Sequence, residues 1–301
     1  MWAVKWSFAG LLFTALLQGA VVLLTNSVAL LADTIHNIGD AFTAVPLAIA
    51  FMFARLKPTR KFTFGWGRIE DLAGVAVVLT ILVSAIIAGY EAIDRFIHPS
   101  DVRYVWAVIA ASVIGFVGNE GVALFRIRVG KEIGSAALVA DGYHARVDGW
   151  TSLGVLLGAI GVWLGYPVAD PLVGIGITVA IFFIVWESGK SIFTRLLDGV
   201  ENGLLEEIVH TTQHVPGVKS VGEVRARWLG HRLRVEINVA VDSHLTVTQG
   251  HGIANEVRHQ LQHRFEHLGD AIVHVDPEEK AGEVHHRIRE HTHDGLGQHS
   301  H

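Results

Sequence analysis

The 301-residue chain has no cysteine. That excludes a disulfide framework, a thiolate zinc site and a cysteine nucleophile, and it leaves redox compartment unreadable. Charge is scarce too, with 18% of residues Asp, Glu, Lys or Arg, against about 25% in an ordinary soluble chain. Lys and Arg number 24 against 29 Asp and Glu, a formal charge of −5, which argues against nucleic acid as a partner. No His-Glu-x-x-His segment occurs, so a zinc protease of that kind has no support. Apolar residues, by contrast, make up 50% of the chain, and mean hydropathy is +0.40. Histidine is also abundant, with 18 copies of which only three precede residue 198.

Spanning a bilayer takes about 20 apolar residues per helix. Residues 1–197 hold six such stretches, near Phe8–Leu24, Val28–Ala54, Leu72–Phe96, Val105–Phe125, Ser135–Leu164 and Val168–Phe193. The pattern predicts an α-helical membrane protein with six transmembrane helices. Connections after the second and fourth runs carry Arg55, Lys57, Arg60, Lys61 and Arg68, then Arg126, Arg128 and Lys131. The opposite turns, Thr25–Ser27 and Gly165–Pro167, are nearly neutral. The positive-inside rule then places both termini in the cytoplasm of a multi-pass cell-membrane protein. Met1–Lys5 leads straight into the first run, and no removable signal peptide is expected.

Beyond residue 197 the chain turns polar. Glu201–His214 and Thr246–His267 have helical periodicity, whereas Val218–Trp228, Arg232–Val241 and Ala271–Val275 read as strands, with a Leu229-Gly230 turn between the first two. The order αββαβ predicts an α+β, ferredoxin-like cytoplasmic domain over 198–279. Residues 280–301 lack apolar periodicity and read as a disordered histidine-rich tail.

A repeat carries the chemistry. Ser27–Asp40 and Ser135–Asp148 match at seven of fourteen positions with a constant offset of 108, sharing Asp-x-x-His-x-x-x-Asp. Charged groups inside a span cost several kcal/mol unless they serve a pathway or site, by about 2.5–3.5 kcal/mol on insertion scales. The two copies lie in the second and fifth helices, which run antiparallel, so the membrane domain reads as two inverted three-helix halves with a site at their interface. Spacing i, i+4 stacks His36 with Asp40 and His144 with Asp148 on one helical face each. Two imidazoles and two carboxylates suit a tetrahedral divalent ion such as Zn²⁺. The same groups take up protons once emptied, because ligands bind metal only when deprotonated. Asp33 and Asp141, one turn earlier, read as supporting residues, proton carriers or helix-start residues facing a vestibule.

These motifs resemble the cation diffusion facilitator family over nearly the whole chain. The resemblance implies a homodimer that exchanges metal for H⁺ across the bilayer, with no organic cofactor and no enzymatic activity. It implies a transport site at His36, Asp40, His144 and Asp148. Members with His in the second helix are usually zinc exporters, which favours Zn²⁺ over Fe²⁺, Mn²⁺, Co²⁺ or Cd²⁺. Phe64–Glu70 is similar to the family's loop into the third helix. Relatives also imply a charge pair between Arg68 and Asp198.

Two departures matter. Arg55–Asp71 contains no histidine, so the loop metal site of some members is expected to be absent. In the cytoplasmic domain His251, His274 and Asp276 fall at ligand positions, while Gly222 and Asn238 stand where histidines would be. Glu223 is the substitute candidate there, and the site is incomplete by the family pattern. His259, His263 and His267 form an i, i+4, i+8 stripe that reads as a solvated helix face, as do His210 and His214. The tail histidines offer loose metal collection.

Asp141-Gly-Tyr-His-Ala-Arg146 also fits the opening of the CDP-alcohol phosphotransferase motif. The rest fails, with Leu138 in place of an Asp and Val155 in place of a Gly. A cation channel needs a multi-site path, and a membrane-anchored metal sensor needs no charge at mid-depth. Neither accounts for two matched His/Asp pairs.

Overall fold

The computed structural model describes residues 2–25, 45–97, 105–166 and 168–280. The chain divides into two compact units, one ending at Leu197 and the next starting at Asp198. The first is helical: α1 (Trp2–Thr25), α2 (45–53), α3 (Arg68–Ile97), α4 (Val105–Glu132), α5 (Ala136–Trp163) and α6 (Ala169–Leu196). Among the described residues, α3, α4 and α6 are long and apolar enough to cross a membrane. At 28 residues α5 is as long as α4 and α6, but it carries Asp141, Arg146 and Asp148 along its length. Asp33, His36 and Asp40, and the tail from residue 281, lie outside the described residues.

One boundary differs from the sequence expectation in a way that shapes the site. The cations Arg126, Arg128 and Lys131 belong to α4, not to a loop. The helix runs on through Gly130 and ends before Gly134, whose φ of 69° takes the left-handed turn that closes it. There the Ser135 amide donates back to the Gly130 carbonyl at 2.8 Å. The Ser135 hydroxyl in turn accepts from the Leu138 amide at 3.2 Å and starts α5. So short a connection forces α4 and α5 to pack antiparallel. At Gly142 of α5, a Cβ would stand 2.9 Å from the Ile127 amide nitrogen and 3.1 Å from Arg126 Cβ. Only glycine admits so close a backbone approach between membrane helices.

The second unit comprises α7 (Leu204–Gln213), β1 (Ser220–Leu229), β2 (Arg232–Val241), α8 (Val247–Arg264) and β3 (Leu268–Pro277). The sheet order is β1-β2-β3, with β2 and β3 parallel. Strand β2 alternates, burying Leu233, Val235, Ile237 and Val239. These residues form a core with Ile208 of α7 and with Val257 and Leu261 of α8. Thr246 caps α8 in a reciprocal box with Gln249.

Several ends fall elsewhere than periodicity predicts, with β1 starting at Ser220 and β3 at Leu268. Gly203, at φ 87°, holds the start of α7 at Leu204, and Glu201 instead accepts from Trp228 Nε1 at 2.8 Å. Phe265 is extended, at φ −112° and ψ 99°, and stops α8 at Arg264, three residues short of His267. The expected histidine stripe is thereby broken, because His267 leaves the helix and its ring sits 6.2 Å from that of Trp228. His259 and His263 remain neighbours, with ring centroids 4.4 Å apart. Finally, β3 continues through Pro277 instead of stopping at Val275.

Candidate metal-transport site

Helix α5 is enclosed through its first half: of residues 136–149, ten are buried. Within that stretch His144 Nδ1 lies 3.9 Å from Asp148 Oδ2, and the two side chains are 2% and 5% exposed. Apolar side chains of α3 and α6 wall the neighbouring turns, where Val77, Val78, Ile81 and Ile181 cluster with Ala140 and Val147. The helical spacing thus delivers one nitrogen and one oxygen donor, side by side, into a setting of low dielectric. A carboxylate there is costly unless a cation faces it. Chemically the pair offers two donors of the kinds a divalent ion takes. The matching pair, His36 and Asp40, and the supporting Asp33 lie outside the described residues. Among the described residues no three or more His, Asp or Glu side chains converge on one point.

Asp141 has an assigned partner. Its carboxylate lies 3.0 Å from Arg126 Nη1, and the side chains are 0% and 1% exposed. A counter-charge to Arg126 is a role outside those expected for Asp141 from the sequence. A second ion pair joins the same two helices. Arg146 Nη2 donates to Glu120 Oε1 at 2.9 Å, and its Nε donates to Oε2 at 3.3 Å. Neither Glu120 nor the membrane position of Arg126 emerged from motif reasoning. The available signal was the presence of ionisable residues inside apolar runs, which marks a paired or functional group wherever it occurs.

The remaining candidates divide by unit. Arg68 Nη1 donates to the carbonyl oxygens of Arg195 at 2.8 Å and Leu196 at 3.4 Å, where a cation favours the C-terminal end of α6. Asp198 sits in the left-handed region at φ 61°, with its carboxylate 3.8 Å from Arg227. In the cytoplasmic unit His274 Nε2 and Asp276 Oδ1 are 2.9 Å apart. Asn238 is the register partner of His274, and a Cβ on Gly222 would lie 3.4 Å from that of Asn238. The three positions therefore share one row across the sheet. Glu223 is engaged by Arg225, whose Nε and Nη2 lie 2.9 and 2.7 Å from Oε1. His251 is exposed at the start of the second turn of α8. Of this group the structure brings His274 and Asp276 together, and it does not join Glu223 or His251 to them.

Comparison with known proteins agrees with this layout. Residues 4–197 match the family model of the cation efflux transmembrane domain. Residues 200–278 match that of the cation efflux protein cytoplasmic domain. A probable cation efflux system protein of Mycobacterium tuberculosis is 50% identical over 281 residues, covering 93% of this chain and 85% of that protein. The manganese efflux system protein MneP of Bacillus subtilis is 28% identical over 264 residues, covering 85% and 88%. The magnetosome protein MamB of Magnetospirillum gryphiswaldense is 27% identical over 276 residues, covering 91% and 93%.

Proposed function

Because the chain belongs to the cation diffusion facilitator, or cation efflux, family, we propose that this membrane transporter of divalent cations exports Zn²⁺ from the cytoplasm in exchange for protons. The metal binds between His36 and Asp40 of the second helix and His144 and Asp148 of α5. The observation that carries this reading is the buried His144–Asp148 pair, two metal donors held at 3.9 Å inside a membrane helix. Two carboxylates offset the charge of the ion, and the four vacated groups accept protons when it leaves. With alternating access, metal enters from the cytoplasmic side and protons replace it on the other.

Both termini lie in the cytoplasm in this reading, and the chain works as a homodimer through its cytoplasmic domain. His274 and Asp276 form the nucleus of a regulatory metal site there, with His251 and Glu223 as the further candidates. The histidine-rich tail collects metal loosely.

The test is zinc flux into proteoliposomes under an imposed pH gradient, with wild type beside Asp148→Asn. Flux that follows the gradient in wild type and vanishes in the variant is expected. Flux unchanged in Asp148→Asn would move the site elsewhere. Manganese uptake in the same vesicles separates a second reading, which the name of the Bacillus subtilis relative favours. A manganese rate above the zinc rate would assign that cargo instead.

A further inference from the structure

We infer that Glu120, Arg126, Asp141 and Arg146 form a charge-swapped ladder that makes α4 and α5 one rigid body and sets the register of His144 and Asp148. The inference rests on the reading of α5 as a metal-ligand helix. In chain order α4 carries a carboxylate and then a guanidinium, and so does α5. Because the helices run antiparallel, each negative group faces a positive one: Arg126 meets Asp141 at 3.0 Å and Arg146 meets Glu120 at 2.9 Å. The rungs stand about 9 Å apart along α4 and about 7.5 Å along α5, from the helical rise per residue. His144 lies between the two rungs, and Asp148 follows half a turn beyond the second.

This order of charges resists slippage in both directions. A slide of about five residues one way would set Arg126 beside Arg146, and the other way Glu120 beside Asp141, like charges that specify against the wrong register. The glycine contact at Gly142 keeps the backbones close enough for the rungs to close. With the Arg126–Asp141 rung sealed from solvent, a half-broken state strands a charge in low dielectric. Glu120, Arg126, Asp141 and Arg146 are thus positioning residues, acting on metal through the placement of α5.

The other copy of the repeat lacks these residue types in sequence. The offset of 108 maps Glu120, Arg126 and Arg146 onto Leu12, Gln18 and Ile38. Asp33 keeps its carboxylate, but no equivalent cation stands on the first helix. His144 and Asp148 are carried by the α4–α5 hairpin.

A charge-exchange cycle tests the ladder in the reconstituted full chain. Arg146→Glu, Glu120→Arg and the exchange of both are compared for KM and maximal rate of Zn²⁺ flux, with folded yield followed by size exclusion. Each single reversal is expected to raise KM about tenfold or more, and the exchange, which restores the contact but puts both cations on α4 and both carboxylates on α5, to recover part of that loss, as for strongly coupled neighbours. Singles with wild-type KM, or an exchange as impaired as its singles, would overturn the ladder. Where a single reversal does not fold, recovery of folded, transporting protein in the exchange supports it, and continued loss overturns it.

The absence of native cysteine allows a second measurement. A Cβ at Gly149 would lie 3.5 Å from that of Asn119, within disulfide range. In Asn119→Cys/Gly149→Cys, oxidised and reduced protein should carry the same zinc flux. Flux lost on oxidation and regained with reductant would show that α4 and α5 must separate. Failure of the ligand assignment is distinct from either result, because it shows in Asp148→Asn alone.

Discussion

Arg126–Asp141 in the helical unit and Arg225–Glu223 in the cytoplasmic unit are both guanidinium–carboxylate contacts, at 3.0 and 2.7 Å. The first is sealed at 1% and 0% exposure, whereas the second stands 68% and 53% exposed. Distance would rank the cytoplasmic pair as the stronger. Solvent reverses the ranking, because water competes for exposed ions and screens them, while a buried pair has no substitute for its partner. Where the helical unit buries a charge at Arg126 or Asp141, an opposite charge faces it. In the cytoplasmic unit most charges are the solvated face of a small sandwich whose stability comes from Leu233, Val235, Ile237, Val257 and Leu261.

Removing one partner from each setting sharpens that contrast. Asp141→Asn leaves Arg126 buried beside a neutral group and is expected to cost about 3–5 kcal/mol. Thermal unfolding of the purified transporter measures it, and a loss below about 1 kcal/mol, the range of an exposed pair, would erase the distinction. Thr246→Ala removes a neutral polar contact at an exposed helix start and is expected to weaken α8 by about 1 kcal/mol. Amide exchange confined to the first turn of α8 is the readout. Arg225→Ala should change stability by no more than about 0.5 kcal/mol. A larger loss on denaturant unfolding would mean that the pair contributes more than its exposure allows.

Much of the architecture is legible in the chain. Long apolar runs mark α1, α3, α4, α5 and α6, since each run exceeds what any soluble helix needs. Strand β2 spans the residues that alternation assigns to it, Arg232–Val241, because one face meets the core and the other does not. The candidate site is half legible in structural terms. The i, i+4 spacing brings His144 and Asp148 together on α5, and the Asp276 carboxylate meets His274 two residues away along β3. Local geometry suffices for such pairs.

Other placements were out of reach of local rules. Arg126 reads as a loop cation by charge, yet α4 continues past it until Gly134. His267 reads as the third member of a helical stripe, yet Phe265 turns the chain into β3 first. Glu223 reads as a substitute ligand, yet Arg225 on the same strand holds it. In each case a partner from outside the motif decided the outcome.

What the sequence by itself determined is the class of protein and the chemistry it presents: membrane helices, a repeated His/Asp pair and a polar αββαβ domain. Each follows from composition or from a period of 2 or 3.6 residues, properties that a helix or strand has before it packs. Only the tertiary structure decided which buried charge faces which. The pairing of Arg126 with Asp141 and of Glu120 with Arg146 depends on how α4 and α5 are rotated and how closely they approach. Those are set by a three-residue turn and by Gly142, acting across the interface and not along the chain.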